Sequence, residues 1–298
     1  MTTMTTARAV LVTGTSSGLG LETALHLAEK GFQVLATMRD LARRGRLDEE
    51  ARRRGVEIDV LQLDVTDKAS VDGAVAGAVE RCGGLYGLVN NAGVQLRGYF
   101  EDVADDEVRS VFETNVFGTM AVTRAVFPHM RRAGRGRIVI VSSIGGRIGS
   151  PASSAYCASK FALEGFGESL ALEAKLVGVD VSVIAPAVVK TDIWSRNRGL
   201  ARGANSSESP YRDRFSGLER LADGMVARSP TTAAEVARAV EAALTAKEPR
   251  MRRVVGRRAA LMLAARKRLP CGMFDRLYLR ALNHLSTPGG GRPEATGA

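Results

Sequence analysis

The stretch Val10-Leu11-Val12-Thr13-Gly14-Thr15-Ser16-Ser17-Gly18-Leu19-Gly20 decides the fold. Residues 9–12 form a short apolar run, as in a strand buried on both faces. From 19 to 30 apolar side chains recur at helical spacing, and Gly31 closes the segment in the position where helices end on glycine. The glycines therefore lie on a turn between strand and helix, the context that gives such a pattern meaning. Gly14 permits the tight turn, while Gly18 and Gly20 let backbone and helix approach closely. The N–H groups opening the helix then face a pyrophosphate. Gly14, Thr15, Ser16, Ser17, Gly18, Leu19 and Gly20 are thus the expected pyrophosphate-binding segment of a dinucleotide site.

The same alternation continues outward. Further strands are expected at 33–37, 56–63, 85–89, 137–141 and 179–185, with helices at 47–54, 68–81 (capped by Asp67), 105–132 and 155–176 between them. Strands separated by helices of this length predict an α/β fold: a Rossmann-type doubly wound parallel sheet with helices on both faces. After Pro186 the regularity breaks, and residues 192–229 read as a polar substrate lid. Thr232 caps a helix to about 246. The expected organisation is a catalytic domain over 1–250, a helical C-terminal extension over 251–288 and a disordered Gly/Pro-rich tail over 289–298.

Composition sets the class. The chain has 298 residues, 45% of them hydrophobic, enough for one large α/β core. No window reaches the length of a membrane-spanning helix, and the start lacks the pattern of a signal peptide. Cys82, Cys157 and Cys271 are too few and scattered for a disulfide framework, which fits a reducing cytoplasm. No Cys/His cluster has metal-ligand spacing, so no metal is expected. The formal net charge is +10, but residues 250–280 hold ten Lys or Arg against the single acid Asp275, leaving the rest nearly neutral. The basicity belongs to the extension, not to the catalytic body.

The end of the second strand bears on cofactor choice. An NAD site of this fold places an acid there for the adenosine ribose. Here the sequence is Ala36-Thr37-Met38-Arg39-Asp40, with Met38 where the acid would stand. Arg39 is placed to clamp a 2′-phosphate, with help from the hydroxyls of Thr15 and Ser16, which points to NADP(H). The alternatives are a purely superficial Arg39 and an Asp40 that reaches the ribose. Asp64, ending the third strand, either meets the adenine or caps its own strand end.

Tyr156-Cys-Ala-Ser-Lys160 opens a long helix, and its i, i+4 spacing puts phenol and ammonium on one face. A lysine there is expected to lower the tyrosine pKa and make it a proton donor and acceptor near neutrality. Ser143, at the end of the preceding strand, is placed to bond a substrate oxygen in the same cleft.

Taken together, residues 8 to about 250 resemble the short-chain dehydrogenase/reductase family. The resemblance rests on the glycine turn, Asn90-Asn91-Ala92-Gly93, Asn115, Ser143, Tyr156-x-x-x-Lys160 and Pro186-Ala-Val-Val-Lys-Thr191. Ala36-Thr-Met-Arg-Asp40 and the residues following Tyr156 are similar to the branch of human 17β-hydroxysteroid dehydrogenase type one and photoreceptor retinol dehydrogenase, which prefers NADP(H). The resemblance implies hydride transfer between a carbonyl and an alcohol, on an apolar steroid-, retinoid- or polyketide-like substrate. It makes Tyr156 the acid/base and Lys160 the partner of the nicotinamide ribose. Ser143 holds the substrate oxygen, and Asn115 holds a relay water. Asn90 shapes the cofactor floor. Asp64, Val65, Asn91, Ala92, Gly93, Pro186, Val189 and Thr191 complete the implied cofactor site, and a homodimer built from the two long helices is implied with it. Two departures stand out. Ala187 replaces the usual glycine after the proline, and the lid lacks the substrate-gripping histidine of the steroid enzyme.

Other function classes are weaker. A non-catalytic NADP(H) sensor on this fold would usually have lost the tyrosine or lysine, and both are present. Nucleic-acid binding is suggested by charge alone. In the extension, Phe274, Leu277, Tyr278, Ala281, Leu282 and Leu285 make one apolar stripe, separated by Pro270 from an apolar-basic segment at 259–269. These helices either cover the cleft or pack a second subunit, or they lie on an anionic membrane; cleft cover or subunit packing is the preferred expectation.

Overall fold

A computed structural model of the protein describes residues 8–195 and 197–286. The expected tail at 289–298 and the side chain of Leu285 lie outside the described residues. The elements, in chain order, are β1 (Ala9–Thr13), α1 (Gly18–Glu29), β2 (Gln33–Met38), α2 (Gly45–Arg54), β3 (Asp59–Gln62), α3 (Lys68–Cys82), β4 (Gly87–Asn90), β5 (Gln95–Arg97), α4 (Asp105–Phe112), α5 (Gly118–Arg132), β6 (Gly136–Val141), α6 (Ser154–Lys175), β7 (Val179–Pro186), β8 (Arg198–Leu200), α7 (Arg212–Ala227), α8 (Ala233–Thr245), β9 (Arg252–Val255), α9 (Arg257–Arg268) and α10 (Cys271–Ser286).

Seven strands form one parallel sheet in the order β3-β2-β1-β4-β6-β7-β9. Alternation along β1 divides the core: Val10 and Val12 pack with Leu25 and Val240 on the face covered by α1 and α8. Leu11 packs on the other face with Val122 and Leu163, from α5 and α6. Chain order reverses between β1 and β4, so the crevice at their carboxyl ends is the topological switch point of the sheet.

The structure departs from the sequence expectation in four places. The third strand is only Asp59–Gln62, because Gly55 (φ 66°) ends α2 and the Val56 N–H bonds back to Ala51. The helix expected over 105–132 widens into a π-turn at Glu113–Phe117, between α4 and α5. The sheet does not stop at residue 250, since Arg252–Val255 pairs with β7 as a seventh strand. The segment expected to be a lid is not irregular throughout. Its β8 pairs with β5, and α7 buries Phe215 (1% exposed), Leu218 and Ala222. Phe215 is thus a packing residue.

The extension consists of α9 and α10, divided at Pro270. Leu263 and Phe274 are buried against Ile148, with Ile144 and Tyr278 beside them. The apolar stripe is narrower than the sequence suggests. Phe274, Tyr278 and Leu282, spaced i, i+4, i+8, are at least partly buried, whereas Leu277 is 51% exposed and Ala281 is exposed. Among the described residues, no helix is long and apolar enough to cross a membrane.

Candidate active site

The glycine turn is fixed by its own neighbours. Thr13 Oγ1 accepts from the N–H groups of Asn91 and Ala92, at 3.0 Å each. The Asn91 amide donates to the carbonyls of Thr13 (2.9 Å) and Gly14 (3.1 Å). A Cβ on Gly20 would stand 2.2 Å from the Gly14 oxygen, so only glycine fits. Gly18, at φ 58°, faces Thr191. The result is a cavity of about 460 Å³ at the switch point.

Gly14, Ser16, Ser17, Gly18 and Leu19 line one side of that cavity, and Asp64, Val65, Asn91, Ala92, Gly93 and Thr191 also reach it. Other expected residues act at one remove. Thr15 is fully buried and donates to the Thr37 carbonyl at 3.1 Å, so its hydroxyl is not aimed at a phosphate, contrary to expectation. Gly20, Pro186 and Val189 support the wall without lining it. Asp64 caps its turn, accepting from the N–H (3.0 Å) and hydroxyl (2.8 Å) of Thr66, and lines the cavity as well. Asn90 donates to Thr123 at 2.9 Å beneath the floor.

At the end of β2, Met38 is buried and Arg39 is exposed on the rim. Asp40, also on the rim, accepts from the Ala42 N–H at 2.9 Å and caps the following turn. Arg43, one turn on, adds a second guanidinium to the cavity. Sequence reading missed Arg43 because the short helical turn at Leu41–Arg44 that aims it carries no glycine or periodicity signal.

The inner end of the cavity holds Tyr156 and Lys160. Lys160 Nζ donates to the Val141 carbonyl at 3.0 Å. Burial lowers its pKa to about 8. Burial also pushes the Tyr156 phenol up to about 12, outweighing the adjacent Ser143 hydroxyl, which draws it down. This corrects the expectation that Lys160 brings the phenol near neutrality: desolvation dominates. Ser143 caps the next turn through the Gly145 N–H (3.1 Å), which fixes its hydroxyl near Tyr156. Asn115 sits fully buried in the π-turn, with Oδ1 accepting from Val94 N–H (2.8 Å) and Nδ2 donating to Ser159 Oγ (3.0 Å). It braces the helix that carries Lys160. Tyr156 and Lys160 line this end of the cavity and Ser143 bonds beside the phenol, while Asn115 is buried behind them; the site can hold a substrate oxygen and move a proton to or from it.

The sequence description for short chain dehydrogenase matches residues 8–199. The chain belongs to the short-chain dehydrogenase family. Human 17-beta-hydroxysteroid dehydrogenase type 1 is 43% identical over 196 residues, which is 64% of this chain and 59% of that enzyme. Retinol dehydrogenase 8 of Bos taurus is 35% identical over 286 residues, 92% of this chain and 88% of that protein. A crystal structure of actinorhodin polyketide ketoreductase with NADPH matches with a TM-score of 0.71 at 31% identity, covering 83% of this chain and 95% of that one. This short-chain dehydrogenase is an oxidoreductase acting at CH–OH groups, on a fold whose solved neighbours include complexes with NADPH, NADP and NAD.

At the cavity edge Asn197 forms a strap that sequence reading did not find. Asn197 donates to Ser17 Oγ at 3.1 Å and accepts from Arg43 at 3.3 Å, while Arg46 pairs with Asp192 at 2.8 Å. The segment behind it, expected to be a lid, is anchored by charge. Arg97, 5% exposed on β5, pairs with Glu219 of α7, and Arg198 pairs with Asp223 at 2.7 Å. Arg97–Glu219 and Arg46–Asp192 join residues more than a hundred positions apart, so no local pattern announces them. From the other side α10 brings Tyr278 to Ser150, beside Cys157.

Proposed function

We propose that the protein is an NADP(H)-dependent oxidoreductase interconverting a ketone or aldehyde and an alcohol on an apolar substrate of steroid-, retinoid- or polyketide-like character. The observation that carries this reading is one cavity with Arg39 and Arg43 at its rim, no acid in place of Met38, and Tyr156 and Lys160 at its inner end. Two guanidiniums suit a 2′-phosphate dianion, and the glycine turn suits a pyrophosphate. Bound there, the nicotinamide would supply or accept the hydride.

The chain's own residues perform the rest. Ser143 and the Tyr156 hydroxyl hold the substrate oxygen, and Tyr156 gives it a proton in reduction or removes one in oxidation. The Lys160 ammonium favours the phenolate left by that transfer and binds the nicotinamide ribose. Asn115 keeps this helix in register and holds a relay water, and Thr191 bonds the carboxamide. The apolar inner face of the extension, Phe274 with Ile144 and Ile148, borders the Ser143 turn and supports a substrate cleft covered by α9 and α10.

The homodimer is part of the same proposal. It is supported by Phe117, Phe161 and Leu172, which are 52%, 43% and 73% exposed on the two long helical segments. The unpaired thiols Cys82 and Cys157 suit a cytoplasmic setting. Cofactor oxidation or reduction is to be followed across steroid, retinoid and polyketide-like ketones and alcohols, with NADPH and NADH in parallel. Turnover with NADPH preferred is expected; binding of NADPH without turnover on any carbonyl or alcohol would favour a sensor.

A further inference from the structure

The dehydrogenase's surplus charge lies on helices whose inner faces are already occupied. Helix α9 turns Ala259 and Leu263 inward. Its opposite stripe carries Arg257, Leu261 and Arg268, spaced i, i+4, i+11, and Leu261 is 71% exposed. Helix α10 buries Phe274 and presents Met273, Arg276, Leu277 and Arg280 together, at i, i+3, i+4, i+7. Met273 is 40% exposed, Leu277 51% and the neighbouring Leu279 52%.

The arginines differ in how they are neutralised. Arg252, facing α6, is paired with Glu164 and Glu168. Among the described residues, Arg257, Arg258, Lys267, Arg268 and Arg280 have no acidic partner, and Arg276 donates to the Gly272 carbonyl of its own helix. This outer face therefore complements an extended anionic surface. A nucleic acid would use the arginines but give nothing to the large aliphatic side chains between them. The headgroup region of an anionic bilayer takes both, with phosphates for the guanidiniums and the acyl boundary for the leucines.

We propose that the outer face of α9 and α10 docks the protein on an anionic lipid bilayer. Contact is with one leaflet surface, since none of the described helices can cross. The inner contacts of Phe274 and Tyr278 with Ile148 and the Ser150 turn are retained, so docking and cleft cover use opposite faces of the same helices. The proposal does not depend on the substrate or cofactor reading.

Co-sedimentation with phosphatidylcholine vesicles, with and without phosphatidylglycerol, tests it at low and high salt. The full-length protein should sediment with the mixed vesicles, remain in solution with phosphatidylcholine alone, and dissociate as salt rises. Reversing Arg257, Arg268, Arg276 and Arg280 to Glu should weaken binding at least about fivefold per residue. Leu261→Ser with Leu277→Ser should weaken binding to the mixed vesicles at low salt, by removing the side chains that reach the acyl boundary. Circular dichroism and thermal melting check that each variant is folded. Absence of anionic-vesicle binding, or equal binding to phosphatidylcholine, overturns the proposal. So does vesicle binding untouched by the arginine reversals. Retention on duplex DNA that persists in the Leu→Ser variant, without vesicle binding, reassigns the face to nucleic acid. None of these results bears on whether the enzyme turns over.

Discussion

Lys160 Nζ lies 5.8 Å from the centroid of the Tyr156 ring and spends its close hydrogen bond, 3.0 Å, on the Val141 carbonyl. The ammonium is therefore desolvated without a counter-charge at bonding distance, and its folded pKa of about 8 lies below its ordinary 10.5. Between those values the unfolded chain holds more protons, so this group makes stability rise with pH. For Tyr156 the folded value of about 12 lies above the ordinary 10, so its contribution is present below pH 10 and lost as pH rises toward 12. Thermal unfolding of the ligand-free protein should show a rise above pH 8 that Lys160→Met flattens. A rise of equal size in that variant would assign the effect elsewhere.

Tyr156→Phe keeps the ring but removes the transferable proton. It should cut kcat by about a hundredfold or more while NADPH still binds. Lys160→Ala should damage both, because one ammonium serves phenol and ribose. Steady-state kinetics with fluorescence titration of NADPH separates the two; near-normal turnover in Tyr156→Phe would move the chemistry to another group.

Arg39→Ala should weaken NADPH by roughly tenfold to a hundredfold, as expected for one charge-assisted bond, and leave NADH little changed. Arg43→Ala should weaken NADPH in the same direction. Met38→Asp should turn preference toward NADH, since a carboxylate there repels the 2′-phosphate. Equal losses for both cofactors in Arg39→Ala would remove the arginine from the specificity site.

The Asn197 strap joins Ser17 to Arg43 across the cavity through two hydrogen bonds. Asn197→Ala should speed NADPH dissociation severalfold in stopped-flow displacement, and raise kcat if release limits turnover. An unchanged dissociation rate would show that the strap does not gate the cavity.

One substitution should have opposite signs at two glycines. Gly20→Ala drives a methyl against the Gly14 carbonyl and should cost about 1–3 kcal/mol, along with cofactor affinity. Gly73, inside α3, has open space around an added methyl, and Gly73→Ala should stabilise by about 0.5–1 kcal/mol. Denaturant midpoints distinguish them.

The parallel sheet and its glycine turn were legible because both rest on local signals: buried apolar runs, helical spacing, and caps such as Asp67 and Thr232, which do accept backbone N–H groups. Strand β9 was not, because Arg-Arg-Val-Val is too short and shows neither alternation nor a continuous apolar run, and becomes a strand only by pairing with β7. The helical lid was missed because α7 exposes Arg and Asp on one side and is held by the remote partner Arg97. Tyr156, Lys160, Ser143 and Asn115 could be named from motif, but the electrostatics could not. Spacing places an ammonium near a phenol; only the packed structure shows that burial governs both.

The bonds from Asn91 and Thr13 that hold the glycine turn run entirely between protein groups, with no ligand atom required. The cradle is rigid before anything enters it. The conformational entropy of shaping it is lost once, during folding, rather than at each encounter with a dinucleotide. Association at that end of the cavity is consequently the insertion of a flexible molecule into a stiff mould, and the ordering that accompanies binding falls on the ligand and on the strap above it.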